Sequence, residues 1–422
     1  MRSLLQKFCF ILFWLALLPN LSAQQTMTID SQDTTLTADS YPAKGNMLYL
    51  WLPPEGGFQP AHSHIAKTLN THGIEVWLVD LFEARFLAPV ASSLEQIPAT
   101  DVSILLDRAQ QTGKQLVVVS SGRGIFPLLR GIHHWQQSHP SLEPLTGVIL
   151  LSPQFYIETP APGEVAQLHP IVKHTNLPIF ILQPKLSPWF WKLEQTVPTL
   201  QQAGSDVFVR ILPEVRDRFY YRPDASHTEQ QLTNNLPQLL KQAGQLLTHT
   251  PAKARPVGKP ESSAEPPRIG KQDHQLKPYR GNPRPPALIL NDIQGKQQNL
   301  ANYQGQVVLV NFWASWCPPC VHEMPSMQRL ADKLGPEKFT ILAVNMAEDA
   351  STINEFLQTK VSVRFPVLLD QDGAALKRWG VFAFPTSYVI DKQGNIRYAL
   401  FGSVEWDNPE MLLIFSTLLQ EP

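Results

Sequence analysis

The stretch Val307–Pro325, VVLVNFWASWCPPCVHEMP, decides how the rest of the chain is understood. Val307 to Phe312 is an apolar, largely β-branched run broken only by Asn311, the pattern of a strand buried on both faces. A short turn follows, and then Cys317-Pro318-Pro319-Cys320 opens a helix. Proline is tolerated in a first helical turn because the N–H it lacks would have no intrahelical partner there. Cys317 is thereby placed at the positive end of a helix. There the dipole and free backbone donors stabilise a thiolate and draw a thiol pKa from about 8.5 towards 7 or lower. Cys320 lies one turn on, facing the same way and within disulfide reach. Two thiols held like this can cycle between dithiol and disulfide.

A structural zinc site is the competing explanation. It needs four ligands. The chain has three cysteines, the third being the distant Cys9, and His322 would be only a third ligand. No metal is expected.

Three further features sharpen the picture: Trp316 before the first cysteine, Glu323 three residues after the second, and Phe384-Pro385-Thr386 ahead of a strand. With them, residues 286–419 resemble the thioredoxin superfamily, and within it the exported TlpA/ResA-like thiol–disulfide oxidoreductases. The resemblance implies a thioredoxin fold, Cys317 and Cys320 as the catalytic pair, and no cofactor beyond their own redox-active disulfide. It gives supporting roles to Trp316, Pro318, Pro319 and Phe384, and a cis bond before Pro385, which would expose the Phe384 backbone to pair with an extended client. Thioredoxin itself has a buried Asp on the strand before the motif, where this chain has Asn311. In the TlpA/ResA-like branch the nearby acid is a glutamate placed like Glu323, and that role is carried over to Glu323. A carboxylate beside a thiol disfavours the thiolate and can accept or return its proton. A peroxiredoxin motif wants Thr or Ser three residues before its cysteine; here stands Ala314. The implied activity is reduction of disulfides in exported clients, apocytochrome c among the family's substrates. A membrane thiol donor of the DsbD kind would restore the dithiol. Pro318 and Pro319 remove two N–H groups that could bond the thiolate, which argues against a strongly oxidising couple.

The remainder of the 422 residues leaves room for a second domain, and 43% hydrophobic content permits packed cores. A net charge of −1 argues against a nucleic-acid partner. Arg2 and Lys7, the apolar run Phe8–Leu18, and Ser22-Ala23 lay out a signal peptide over residues 1–23. The apolar run is short for a membrane span; left uncleaved, it would be the only membrane contact. The expected location is therefore the periplasm or the outer face of the cytoplasmic membrane. The mature protein would keep only Cys317 and Cys320, thiols present for exchange rather than stapling.

Residues 24–42 are polar and are expected to form a disordered leader. From residue 43 to 249 strand-like and helix-like segments alternate, implying a parallel sheet covered on both faces. Their order and spacing resemble the α/β-hydrolase fold. Gln115–Gly124 stands at the nucleophile elbow, and the nucleophile position falls on Gly122. The Pro53–Gly57 loop occupies the oxyanion-hole position, Gln183-Pro184-Lys185 the place of the acid, and His227 that of the catalytic histidine. Glycine has no side chain to attack with, so the resemblance implies a degenerate hydrolase whose cleft binds a peptide, glycan or partner. The alternative is an active serine esterase in which Ser120 or Ser121 reaches His227 from a shifted turn, with Glu158 or Asp224 as a substitute acid. His62 and His64 are two apart on a helix and do not share a face. Residues 250–285, dominated by proline and charge, are expected to be a semi-rigid linker. The expected class is α/β, with an α/β-hydrolase-like domain and a thioredoxin fold joined by that linker.

Overall fold

Strands form along the β-branched and aromatic runs, and a computed structural model describes them over residues 24–139, 145–250 and 275–422. The expected signal peptide and most of the expected linker lie outside the described residues. The first sheet contains β1 (Gln25–Ser31), β2 (Thr34–Tyr41), β3 (Met47–Trp51), β4 (Ile74–Val79), β5 (Gln115–Ser121), β6 (Gly147–Leu151), β7 (Ile179–Leu186) and β8 (Val207–Arg216). Their spatial order is β1-β2-β4-β3-β5-β6-β7-β8. The first two strands run antiparallel, and β3 to β8 are mutually parallel. The helices are α1 (Pro60–Thr71), the single turn α2 (Leu81–Ala84), α3 (Ala99–Gln110), α4 (Ile125–Ser138), α5 (Leu193–Ala203) and α6 (His227–Thr248). A helix-covered parallel sheet must bury both faces. One core accordingly joins Leu48, Val118 and Leu150 to α3 and α4, and another joins Tyr49, Val119 and Ile149 to α1 and α6.

Residues 24–42 are not a disordered leader: they form the β1–β2 hairpin at the sheet edge. Ile29, Leu36 and Ala38 fall at period two and are buried, while the intervening threonines and aspartates face outward. The hairpin is also tied by polar contacts. Ser31 Oγ donates to Asp101 Oδ1 at 2.7 Å, and the same buried carboxylate accepts from Arg85 Nε at 2.7 Å.

The second sheet comprises β9 (Lys277–Pro278), β12 (Val307–Trp313), β13 (Phe339–Met346), β14 (Val367–Asp370), β15 (Thr386–Ile390) and β16 (Ile396–Phe401), preceded by the small hairpin β10 (Ile289–Asn291) and β11 (Gln297–Asn299). The order is β14-β13-β12-β15-β16-β9, with β12, β13 and β14 parallel and the others antiparallel. All seven residues of β12 are buried, each apolar side chain there contributing about 1.5–3 kcal/mol. Helices α7 (Pro318–Leu334), α8 (Ala350–Thr359) and α10 (Pro409–Gln420) pack on one face, and the short α9 (Ala374–Arg378) on the other. One expectation needs correction: the linker does not extend to residue 285, because Lys277 and Pro278 already pair with β16.

Candidate active site

The buried strand β12 delivers the chain to one end of the second sheet, and a tight turn then reverses it into α7. Glu348 fixes that turn: its carboxylate accepts from Ser315 N and Asn345 Nδ2, both at 2.8 Å, and from the Ser315 hydroxyl. Cys317 is the N-cap of α7, with Pro318 and Pro319 in the first two helical positions. Those positions therefore offer no N–H, and the first available donor, Cys320 N, points at Cys317 Sγ at 3.4 Å. The two cysteines are joined by a disulfide, with Cα atoms 5.4 Å apart. Their burial differs. Cys317 keeps 6% of its surface exposed, while Cys320 keeps none.

One turn further along α7, Glu323 is fully buried. Its carboxylate accepts from Asn311 Nδ2 at 2.8 Å and from Trp406 Nε1 at 3.0 Å. Asn311 also donates to Ser387 Oγ at 2.9 Å, and Ser326 Oγ holds Trp406 N at 3.0 Å. Burial pushes the Glu323 carboxyl up to about 8, against the opposing pull of the Trp406 and Asn311 donors. The Phe384–Pro385 bond is cis, and Phe384 packs against the cluster that holds both cysteines. The Phe384 ring meets the Trp316 indole nearly edge-on at 5.8 Å. Among the described residues, no protein group bonds the Phe384 N–H or C=O. The sites inferred from sequence, Trp316, Pro318, Pro319, Glu323, Phe384 and Pro385, thus gather at one end of the sheet. Trp406, Ser387 and Glu348 were missed. They reach the site from distant strands and loops, and no local spacing marks them.

The first sheet holds a second cluster at the carboxyl ends of β3, β5 and β8. Gly122 stands at the β5–α4 turn with φ +56°, and a Cβ there would lie 2.2 Å from Glu55 Oε2. The Glu55 carboxylate, from the loop after β3, accepts from Arg123 N at 3.0 Å and forms an ion pair with Arg218. Ser121 Oγ is within 3.1 Å of Tyr220 Oη, which in turn lies 3.4 Å from His62 Nε2. Burial lowers the His62 pKa to about 4, so that ring is neutral. Asp217, held by Ser187 Oγ at 2.9 Å, is pushed up to about 6 by its burial. The void among these groups is about 10 Å3, at the lower limit for one water.

Two expectations fail here. The space above Gly122 does not form a ligand cleft. His227 does not join Ser121 or Gly122: it is exposed in the first turn of α6, beside Gln231. The reason is the Ser226–Glu229 capping box, which starts α6 with His227 facing solvent, while Arg216 clamps Glu229. Glu55 is a further missed residue. An acid inside the singled-out Pro53–Gly57 loop was its only signal.

The two sheets touch through aromatic side chains. Phe382 lies 4.8 Å from Tyr156 and 5.3 Å from Trp189, both nearly perpendicular, with Lys192 Nζ 4.6 Å from its ring centroid. Lys377 also pairs with Glu194.

Comparison with known proteins bears on the second sheet. The AhpC/TSA family model matches residues 283–399. The thiol-disulfide oxidoreductase ResA of Geobacillus thermodenitrificans is 34% identical over 119 residues, covering 28% of this chain and 68% of its own. ResA of Geobacillus kaustophilus is 32% identical over 125 residues, covering 30% and 71%. A solved structure, StoA from Bacillus subtilis, shares 26% identity with a TM-score of 0.28, covering 32% of this chain and 98% of that one. The first sheet lies outside the family match.

Proposed function

Through its C-terminal thioredoxin-fold domain the chain belongs to the ResA family of thiol-disulfide oxidoreductases, and from that premise we propose that it reduces disulfides of exported proteins through Cys317 and Cys320. The observation that carries the assignment of roles is the unequal burial of the two cysteines, 6% of the residue exposed against 0%. Only Cys317 can meet a protein disulfide. Its thiolate, supported by the Cys320 N–H and the helix dipole, attacks one client sulfur and the other leaves as a thiolate. Cys320 then attacks Cys317 Sγ and releases the second client thiolate. Two electrons pass to the client, and the Cys317–Cys320 disulfide remains. A membrane thiol donor of the DsbD kind returns the pair to the dithiol. Glu323, one turn along α7 from Cys320 and with its carboxyl pushed up to about 8 by burial, is the group placed to exchange a proton with the Cys320 thiol. The client segment lies along Phe384 and pairs with its free N–H and C=O as an added strand.

The N-terminal domain is in this reading an α/β-hydrolase scaffold without hydrolytic chemistry, serving the client. The strand order with an antiparallel leading edge and the left-handed Gly122 at the strand-to-helix turn support the scaffold. Glu55 argues against catalysis: its carboxylate fills the nucleophile's space and occupies the Arg123 N–H that an oxyanion would need. The signal-like residues 1–23 support export to the periplasm. The reductase direction is tested by trapping thiols in cells with an alkylating agent. A mainly dithiol steady state is expected, and a mainly disulfide one would reverse the assignment.

A further inference from the structure

After β6 the chain leaves the first sheet as an irregular hairpin. Tyr156 bridges Leu168, Ile157 N donates to Gln167 O at 3.0 Å, and His169 N donates to Phe155 O at 2.9 Å. The base of this hairpin and the turn Pro188–Lys192 grip Phe382 through Tyr156, Trp189 and the Lys192 ammonium. Phe382 is three residues before Pro385, and Phe384, between them, touches Trp316. The carboxyl edge of the first sheet is therefore fastened to the loop that faces the redox pair. Ligands of parallel α/β sheets bind at that edge.

Between the hairpin tip and the β9–β16 edge lies a cleft of about 390 Å3, within the range of about 300–1,000 Å3 that ligand pockets occupy. The tip brings Glu158, Pro160 and Glu164 to one wall, and Tyr279, Arg280 and Phe401 line the other. Phe401 pairs across the ladder with Thr386, and Gly402 N bonds Pro385 O at 2.9 Å. The floor of the cleft thus begins about 4.8 Å, one strand spacing, from the strand that Pro385 introduces.

We propose that this cleft binds an extended segment of the client polypeptide, the part that runs on from the cysteine captured by Cys317. The inference rests on the redox reading above and deepens it, because the N-terminal domain then supplies one wall of the client site. Carboxylates on one rim and a guanidinium on the other suit the polar groups of an extended main chain, and the Tyr279–Phe401 floor suits an apolar side chain. A small-molecule disulfide would reach Cys317 without entering the cleft. Ala161, exposed at the tip, is the position from which the cleft can be filled with least harm to the fold.

The test uses the full chain with Cys9→Ser and Cys320→Ser, loaded at Cys317 with a short peptide carrying one cysteine. A benzophenone side chain is placed at successive positions on either side of that cysteine. Four extended residues span about 13 Å. Illumination is expected to cross-link the peptide to residues 158–164 from one side of its cysteine and not from the other, with loss of those cross-links on adding Ala161→Trp. Cross-links confined to residues 275–422, or unaffected by Ala161→Trp, would overturn the proposal. Failure to form any mixed disulfide is a different result: it removes the redox reading, and the cleft assignment with it.

Discussion

Replacing Glu323 by Gln should abolish a loss of stability that runs from about pH 4.5 to 8. In the folded chain the carboxyl titrates near 8, against an ordinary 4.5. Between those values the unfolded chain has released the proton while the folded chain still holds it. Stability of the native protein therefore falls as pH rises from about 4.5 to 8, and below 4.5 this term is fully favourable. At about 1.4 kcal/mol per pH unit, the difference amounts to at most about 5 kcal/mol. Gln keeps the shape without the titration. Its amide can donate to Asn311 Oδ1, which has no partner in the native site, once the Asn311 amide turns over. At pH 5 the Glu323→Gln variant should then lie within about 1–3 kcal/mol of the native protein, the range for one altered buried hydrogen bond. By pH 8 it should have gained about 3–4 kcal/mol on the native protein and be the more stable of the two. Hydrogen exchange of the α7 amides against urea, measured from pH 5 to 8, reads the local free energy. Parallel profiles for the two proteins would refute the reasoning, since a neutral buried carboxyl could not then be the source.

Incubated with insulin, Cys320→Ser should accumulate a mixed disulfide visible on a non-reducing gel, and Cys317→Ser should form none, because the Cys320 sulfur is inaccessible. A Cys317→Ser adduct would exchange the two roles. Gly122→Ser should gain no esterase activity towards p-nitrophenyl acetate and should lose about 1–3 kcal/mol from its left-handed backbone alone. Serine-dependent turnover would show that Glu55 yields the space. Phe382→Ala should cost about 3–5 kcal/mol of packing, seen as faster hydrogen exchange in residues 155–169; unchanged exchange would mean the aromatic contact does not hold the domains.

The redox site was legible because its information is local. A β-branched run, a CxxC at a helix start and an acid one turn on all fall within Val307–Glu323. What completes the site is not local. Trp406 reaches Glu323 across 83 positions, and only folding brings that indole to that carboxylate. The β1–β2 hairpin carried a signal, the period-two placement of Met27, Ile29, Leu36 and Ala38, masked by a composition that reads as solvated. His227 shows the opposite hazard. Its order along the chain fitted a catalytic role, but a capping box one residue earlier decides which way its side chain faces. Side-chain direction at a helix start depends on cap geometry, which chain order does not encode.

The proline doublet has a quantitative corollary for the half-cell this protein can run. An N-cap side chain draws its donors from the second and third helical positions, and Pro319 silences the second, leaving Cys320 alone. A hydrogen bond to a charged acceptor is worth about 1.5–3 kcal/mol, equivalent to about 30–65 mV for a two-electron couple. One amide returned at position 319 would shift the midpoint upward by that amount, so a single residue sets how oxidising the couple is on this scaffold.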